Sequence, residues 1–200
     1  MKRPVTRIAL LRHGHTAWNR AGRIQGRSDI ALDDEARNGL AGFALPAPWD
    51  SAELWSSPLS RAVETAQIVA GRAPFTAPEL TEMNWGDWEG LRGLDLLDDP
   101  TAGFRHIEDW GWQYRAPNGE SPGEVWDRVQ PWLGQLNADC VAVCHIGVMR
   151  ALLARAYGWG FKGPAPFNIK RNRLFVLNFE AGTLRPDPEP LRLVRREGAA

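Results

Sequence analysis

Leu11-Arg12-His13-Gly14-His15-Thr16-Ala17-Trp18-Asn19 follows the short apolar run Arg7 to Leu11 and closes it on an Arg-His-Gly turn. Open α/β sheets carry their ligand-binding loops on such turns, at the carboxyl ends of apolar strands. The loop combines a permanently charged guanidinium, an imidazole, a glycine and two small polar side chains, a set able to wrap an anion. Arginine presents a planar fork of donors to phosphate oxygens, and Gly14 lets the backbone approach with no Cβ in the way. A neutral His13 can attack phosphorus once a hydrogen bond at its other ring nitrogen fixes the tautomer.

The pattern recurs. Cys140 to Cys144 reads as a strand, His145-Ile146-Gly147 interrupts it, and Val148 to Tyr157 continues with helical spacing. Between the two histidines, Leu32 to Leu45 reads as a helix announced by Asp33 and Asp34, and Ala52 to Ser56 as a second strand. Ser60 is expected to cap a helix running to Gly71, which puts Arg61 in a first turn whose positive dipole end favours an anion. Phe75 to Leu80 reads as a third strand leading into a turn at Asn84 to Gly90. Leu91 to Gly123, rich in Trp, Gly, Pro and Asp, reads as an irregular excursion. Ser121 with Glu124 forms a capping box for a helix through Leu136, and Arg173 to Phe179 and Leu191 to Val194 are late strands. Alternating strands and helices predict an α/β protein: a three-layer α/β/α sandwich with a mostly parallel sheet, one domain over residues 1–200 and a cap at about 91–123.

The 200 residues carry 24 basic and 24 acidic side chains and are 44% hydrophobic, enough for one buried core and without a global field for nucleic acid or an anionic membrane. Arg12 and His13 end the N-terminal apolar run too early for a signal-peptide core, and no stretch reaches the roughly 18 apolar residues of a membrane span. A cytoplasmic location is expected. Cys140 and Cys144, four residues apart on a strand, would stand about 13 Å from each other, beyond disulfide reach, and are read as packed thiols. The expected partner is a small-molecule phosphate ester, with no nucleic acid and no membrane; a homodimer is compatible with the sequence.

Arg12-His13-Gly14-x-Thr16 resembles the signature of the histidine phosphatase, or phosphoglycerate mutase-like, superfamily. Five further elements stand in the family order: Arg23-Ile24-Gln25-Gly26, Ser57-Pro58-Leu59-Ser60-Arg61-Ala62-x-x-Thr65-Ala66, Glu82-x-x-x-Gly86-x-Trp88-Glu89-Gly90, Pro117-x-Gly119-Glu120-Ser121 with Arg128, and His145-x-Gly147-Val148-x-Arg150. The resemblance implies a phosphoglycerate mutase-like fold and a phosphohistidine mechanism. In it His13 is the phosphorylated nucleophile, Arg12, Arg61 and His145 surround the phosphoryl oxygens, and Glu82 is the acid and later the base. Thr16, Asn19 and the backbone near Gln25, Gly26 and Ile146 would complete the pocket. The resemblance implies no metal and no organic cofactor. Two positions depart from the family pattern, His15 where Glu is frequent and Ile146 where Gly is frequent; both bear on substrate more than on reaction class.

Other readings compete. His13-x-His15 with His145 would give a three-imidazole zinc site, against which stand the adjacent charge of Arg12 and the break at Gly14. An inactive phosphate-binding module is opposed by the retention of all the residues just named. A phosphoglycerate mutase is opposed by the short chain and by Glu82 to Gly90, which resembles the phosphatase branch. Trp85, Trp88, Trp110 and Trp112 are candidates to line an aromatic pocket, and His106, outside any motif, is read as a surface residue.

Overall fold

The computed structural model describes residues 5–196, so residues 1–4, which open the basic N-terminal segment, and residues 197–200 lie outside the described chain. In chain order the elements are β1 (Thr6–Arg12), α1 (Ala17–Arg20), α2 (Asp34–Ala41), β2 (Phe43–Ala44), β3 (Glu53–Ser56), α3 (Ser60–Ala70), β4 (Phe75–Thr76), α4 (Gly93–Asp98), α5 (Pro122–Gln135), β5 (Cys140–Cys144), α6 (Ile146–Tyr157), β6 (Arg173–Glu180), β7 (Thr183–Pro186), β8 (Leu191–Arg192) and β9 (Val194–Arg195).

Strand β5 is buried along its whole length and β1 at every position but Arg7 and Arg12, which is why both read as apolar runs without alternation. Their side chains nevertheless divide between two faces. Ile8, Leu10, Cys140 and Ala142 join a core with Val125, Val129 and Leu133 of α5 and Val148 and Leu152 of α6. Ala9, Leu11, Val141 and Val143 join another with Leu40 of α2 and Ala62, Ala66 and Val69 of α3. The result is the expected three-layer arrangement. The sheet runs β4-β3-β5-β1-β6-β7, with β8 also paired to β6. Strands β4, β3, β5 and β1 are parallel neighbours, whereas β6 is antiparallel to β1, β7 and β8.

Local chemistry sets several boundaries away from those expected. Asp33 caps α2 by accepting the Ala36 N–H at 2.7 Å, but the helix ends at Ala41, before Gly42, and Phe43–Ala44 pair with β9 instead of prolonging it. Ser60 is not a cap: Leu59 holds that position without a side-chain bond, and Ser60, already helical, donates its N–H and Oγ–H to Asp29 at 2.8 Å each. The strand expected over Phe75 to Leu80 stops at Thr76, because Pro78 has no N–H for a ladder and opens a 3₁₀ turn, Pro78–Leu80. The Ser121 capping box forms with Pro122 at the first helical position. The segment expected to be irregular contains α4 and a 3₁₀ turn, Ile107–Asp109. Helix α6 begins at Ile146, two residues earlier than its spacing indicates, and Leu193, buried in the second core, splits the last expected strand into β8 and β9.

Leu10, fully buried on the central strand, tests this layering. Leu10→Ala is expected to cost about 3 kcal/mol of unfolding free energy, read as a lower urea midpoint at unchanged slope. A loss below about 1 kcal/mol would contradict a close-packed face at that position.

Candidate active site

Parallel register builds the site. Arg12 lies beside Cys144 and Ser56 beside Val143, so β5 and β1 end at one level and the neighbouring β3 ends one residue short of it. The next residue on each is Ser57, His145 and His13. The His13 N–H donates to the Cys144 carbonyl at 3.1 Å and the Ser57 N–H to the Val143 carbonyl at 2.9 Å, which carries the alignment one residue beyond the strands. The two imidazoles emerge side by side, ring centroids 5.0 Å apart.

Hydrogen bonds fix different tautomers on the two rings. His13 Nδ1–H donates to the Gly14 carbonyl at 2.7 Å, leaving its Nε2 lone pair without a partner among the described residues. On His145, Nδ1 accepts from Arg61 Nε–H at 3.3 Å, so Nε2 carries the proton and donates to Ser57 Oγ at 2.7 Å. Burial holds the His13 pKa well below its ordinary 6.5, and Arg61 and Arg12 push it lower against the opposing bond to Gly14. Burial, His13 and Arg61 depress His145 in the same direction.

Arg61, in the first turn of α3 and fully buried, spends its donors on the structure: besides His145 it reaches the Ser28 carbonyl at 2.9 Å and the Gly26 carbonyl at 2.7 Å. Those carbonyls are presented by a loop that Glu89 fastens, accepting the N–H of Arg27, the N–H of Ser28 at 3.0 Å and the Ser28 hydroxyl. A Cβ on Gly26 would stand 2.0 Å from Glu89 Oε1, so no other residue fits beneath that clasp. On the other side of Arg61, Thr65 Oγ1 donates to the Arg61 carbonyl at 2.7 Å and accepts the Gly14 N–H at 3.0 Å, tying α3 to the histidine loop.

Glu82 is 1% exposed. Its carboxyl accepts the N–H of Met83 at 2.8 Å and the N–H of Gly147, in the first turn of α6, at 3.0 and 3.2 Å. Burial raises its pKa above the ordinary 4.5, outweighing those bonds and the nearby Arg61 and Arg12. A Cβ at position 147 would fall 2.4 Å from Glu82 Oε1, which explains the glycine after the second histidine. The segment bearing Glu82 is clamped from α5: Arg128 donates to the carbonyls of Glu79 and, at 2.6 Å, Thr81, and pairs with Glu120 at 2.7 Å.

These groups border a cleft of about 360 Å³. Arg12, His13, Asn19, Gln25, Glu82 and Ile146 line it, joined by Arg23, Ile24 and Arg150. Thr16, Gly26, Arg61 and His145 are buried and are not among its lining residues. Phe104, Arg105, His106, Ile107 and Trp110 line the cleft from the excursion, together with Trp85. Trp88 and Trp112 do not; Trp88 packs on Phe104 and Trp112 on Phe161. His106 is exposed as expected and yet forms part of the cleft wall. Two buried donors of residues that line the cleft, Arg12 Nε and Gln25 Nε2, have no partner among the described residues.

Sequence reasoning misses two cations at the site. Arg150 lies in the sixth motif, which by itself gives it no separate role; burial and Arg12 push its pKa down to about 10. Arg171 has no local signal: it reaches the His13 carbonyl and Asn19 from 158 and 152 residues away in the chain. His15 faces a different cleft, with Arg20, Glu35 and Arg171, so the three-imidazole cluster required for zinc does not assemble. Among the described residues no three His, Cys, Asp or Glu side chains gather around a metal-sized position.

Residues 8–187 match the histidine phosphatase superfamily (branch 1). The chain is 34% identical over 163 residues to the adenosylcobalamin/alpha-ribazole phosphatase of Salmonella typhimurium, covering 74% of this chain and 78% of that protein. It is 31% identical over 186 residues to an acid phosphatase of Mycobacterium tuberculosis, covering 88% of each. The crystal structure of a phosphoglycerate mutase from Thermus thermophilus superposes with a TM-score of 0.71 at 30% identity, over 96% of this chain and 100% of that one. Six ordered motifs, paired histidines at adjacent strand ends and these relatives agree: the chain belongs to the histidine phosphatase superfamily, branch 1.

Proposed function

We propose that the chain hydrolyses phosphomonoesters of small metabolites through a phosphohistidine at His13. The observation that carries this reading is the lone pair of a neutral, buried His13, held by its bond to Gly14 and sharing a cleft with Arg12, Gln25 and Glu82. In the first step His13 Nε2 forms a bond to phosphorus as the ester P–O bond breaks, and the departing oxygen takes the Glu82 proton. In the second, the Glu82 carboxylate takes a proton from water as that water attacks phosphorus, the P–N bond breaks and neutral His13 returns. Arg12, which lines the cleft, would neutralise charge on the phosphoryl oxygens together with Arg61 and His145, which adjoin His13. Thr16, Asn19, Gln25, Gly26 and Ile146 would complete the phosphoryl pocket.

Residues 1–200 act on this reading as one domain, and residues 91–123 as a cap that selects the leaving group through Phe104, Arg105, His106, Ile107 and Trp110. A cytoplasmic setting is favoured by Cys140 and Cys144, both free and buried, with thiol pKa values pushed up by burial. Among the described residues no helix is long and apolar enough to cross a membrane.

Incubation with a labelled aryl phosphate and rapid quenching is expected to trap an acid-labile label on His13, with turnover lost in His13→Ala. Strong transfer between phosphoglycerate positions with little free phosphate would instead make the enzyme a mutase. Glu82→Gln is expected to slow hydrolysis of alkyl phosphates by about 100-fold or more and of a nitrophenyl ester far less, because only the poor leaving group needs the proton. Equal losses on both substrates would contradict the acid role.

The pH dependence has a definite sign. His13 must be neutral, so kcat/KM falls as pH drops through its depressed pKa, below 6.5; Glu82 must be protonated, so kcat/KM also falls as pH rises through its elevated pKa, above 4.5. The expected profile, corrected for substrate ionisation, is a bell whose alkaline limb disappears in Glu82→Gln. An alkaline limb unchanged by that substitution would remove Glu82 from the mechanism.

A further inference from the structure

We propose that Arg171 is a positioning residue that sets the direction of the Asn19–Gln25 amide pair and thereby aims the Gln25 N–H donors at the bound phosphoryl group. This rests on the phosphate-binding reading of the cleft given above.

A guanidinium can only donate, so whatever it touches must accept. Arg171 lies just before β6; its Nη2–H donates to Asn19 Oδ1 at 3.0 Å and its Nε–H to the His13 carbonyl at 3.2 Å. The Thr16 N–H reaches the same Asn19 oxygen at 3.3 Å. With Oδ1 held by two donors, Asn19 must turn Nδ2 outward, and it donates to Gln25 Oε1 at 3.1 Å. Thr16 Oγ1 accepts the Asn19 N–H at 3.2 Å, and its own proton goes to the same Gln25 oxygen at 2.8 Å.

Gln25 Oε1 thus receives two protons, which leaves the Nε2 end of the amide to find an acceptor. That nitrogen is buried and partnerless among the described residues, like Arg12 Nε, and both side chains line the cleft with His13. Two desolvated donors are costly unless an acceptor arrives, and a phosphoryl group brings several oxygens. Were the amides reversed, Gln25 would turn a carbonyl oxygen toward those oxygens and repel them. Without Arg171, Asn19 Oδ1 keeps only its longer contact to Thr16.

The cost of Arg171 argues against an incidental surface role. Burial, Arg12 and Arg20 push its pKa down to about 10, and it makes no ion pair within 4.0 Å with a carboxylate among the described residues. Its hydrogen bonds go to two carbonyl-type oxygens of the histidine loop and its continuation.

The test is a double-mutant cycle on inorganic phosphate affinity, titrated calorimetrically without turnover, and on kcat/KM for an aryl phosphate. Arg171→Met alone is expected to weaken phosphate binding and lower kcat/KM by about tenfold each, the scale of losing a charge-assisted hydrogen bond. In a Gln25→Ala background the same substitution should change both by less than about twofold, because its effect runs through Gln25. Arg171→Lys, which keeps the charge but lacks the fork to span both oxygens, should recover only part of the loss and still couple to Gln25. Arg171→Lys replaces Arg171→Met in the cycle if the methionine variant does not fold. Equal factors with and without Gln25, or full recovery by lysine, would overturn the relay and leave Arg171 as a charge or scaffold. Wild-type protein that binds phosphate with this coupling but turns over no ester would count against the hydrolase reading alone.

Discussion

A proton on His13 would place a buried cation beside Arg61, Arg12 and Arg171, and that electrostatic exclusion organises the rest of the molecule. Four arginines, 12, 61, 150 and 171, stand in or around one site, while Glu82, the carboxyl that acts on the first three, is pushed by burial toward its neutral form. The cleft therefore gathers an excess of desolvated positive charge and partnerless donors. Such an arrangement is unfavourable by itself and is relieved by an anion, so ligand binding and stability are linked in the native state. Burial, reinforced by the same excess, keeps the imidazoles neutral, which is the state a nitrogen nucleophile needs.

Holding charges of one sign together requires rigid support. The parallel register of β1, β5 and β3 fixes the two histidines at one level with Ser57 one residue below it, and the fully buried β5 at the centre, covered on both faces, gives little freedom to slide. Around them, Glu89 shapes the loop whose carbonyls take Arg61, Thr65 ties α3 to Gly14, and the Glu120–Arg128 pair clamps the approach to Glu82. Preorganised donors of this kind stabilise developing charge without reorganising at the moment of reaction.

Much of this is legible in the sequence because it is local. The strand ends before His13 and His145 follow from apolar runs that stop at a polar residue, and the Ser121 capping box follows from two residues three apart. Elements that depend on distant partners are not legible. Ser60 looks like a cap because nothing nearby reveals that Asp29, 31 residues upstream, takes its donors. The strand after Arg72 reads too long because apolar content outweighs one proline, although the missing N–H of Pro78 decides the matter. Arg171 sits in a stretch without periodicity, and only the antiparallel return of β6 along β1 brings it to the histidine loop. Of four tryptophans considered for the pocket, Trp85 and Trp110 reach it, a division set by how the excursion folds.

The chemistry of the cleft turns on the protonation state of one ring. Long-range ¹H–¹⁵N spectra of the imidazoles, recorded on wild-type protein at neutral pH and assigned with a His13→Gln variant, report tautomer and charge directly. The expected spectra show a neutral His13 with the proton on Nδ1 and an unprotonated Nε2, and His145 in the opposite tautomer. An imidazolium at His13, or a proton on its Nε2, would contradict this assignment.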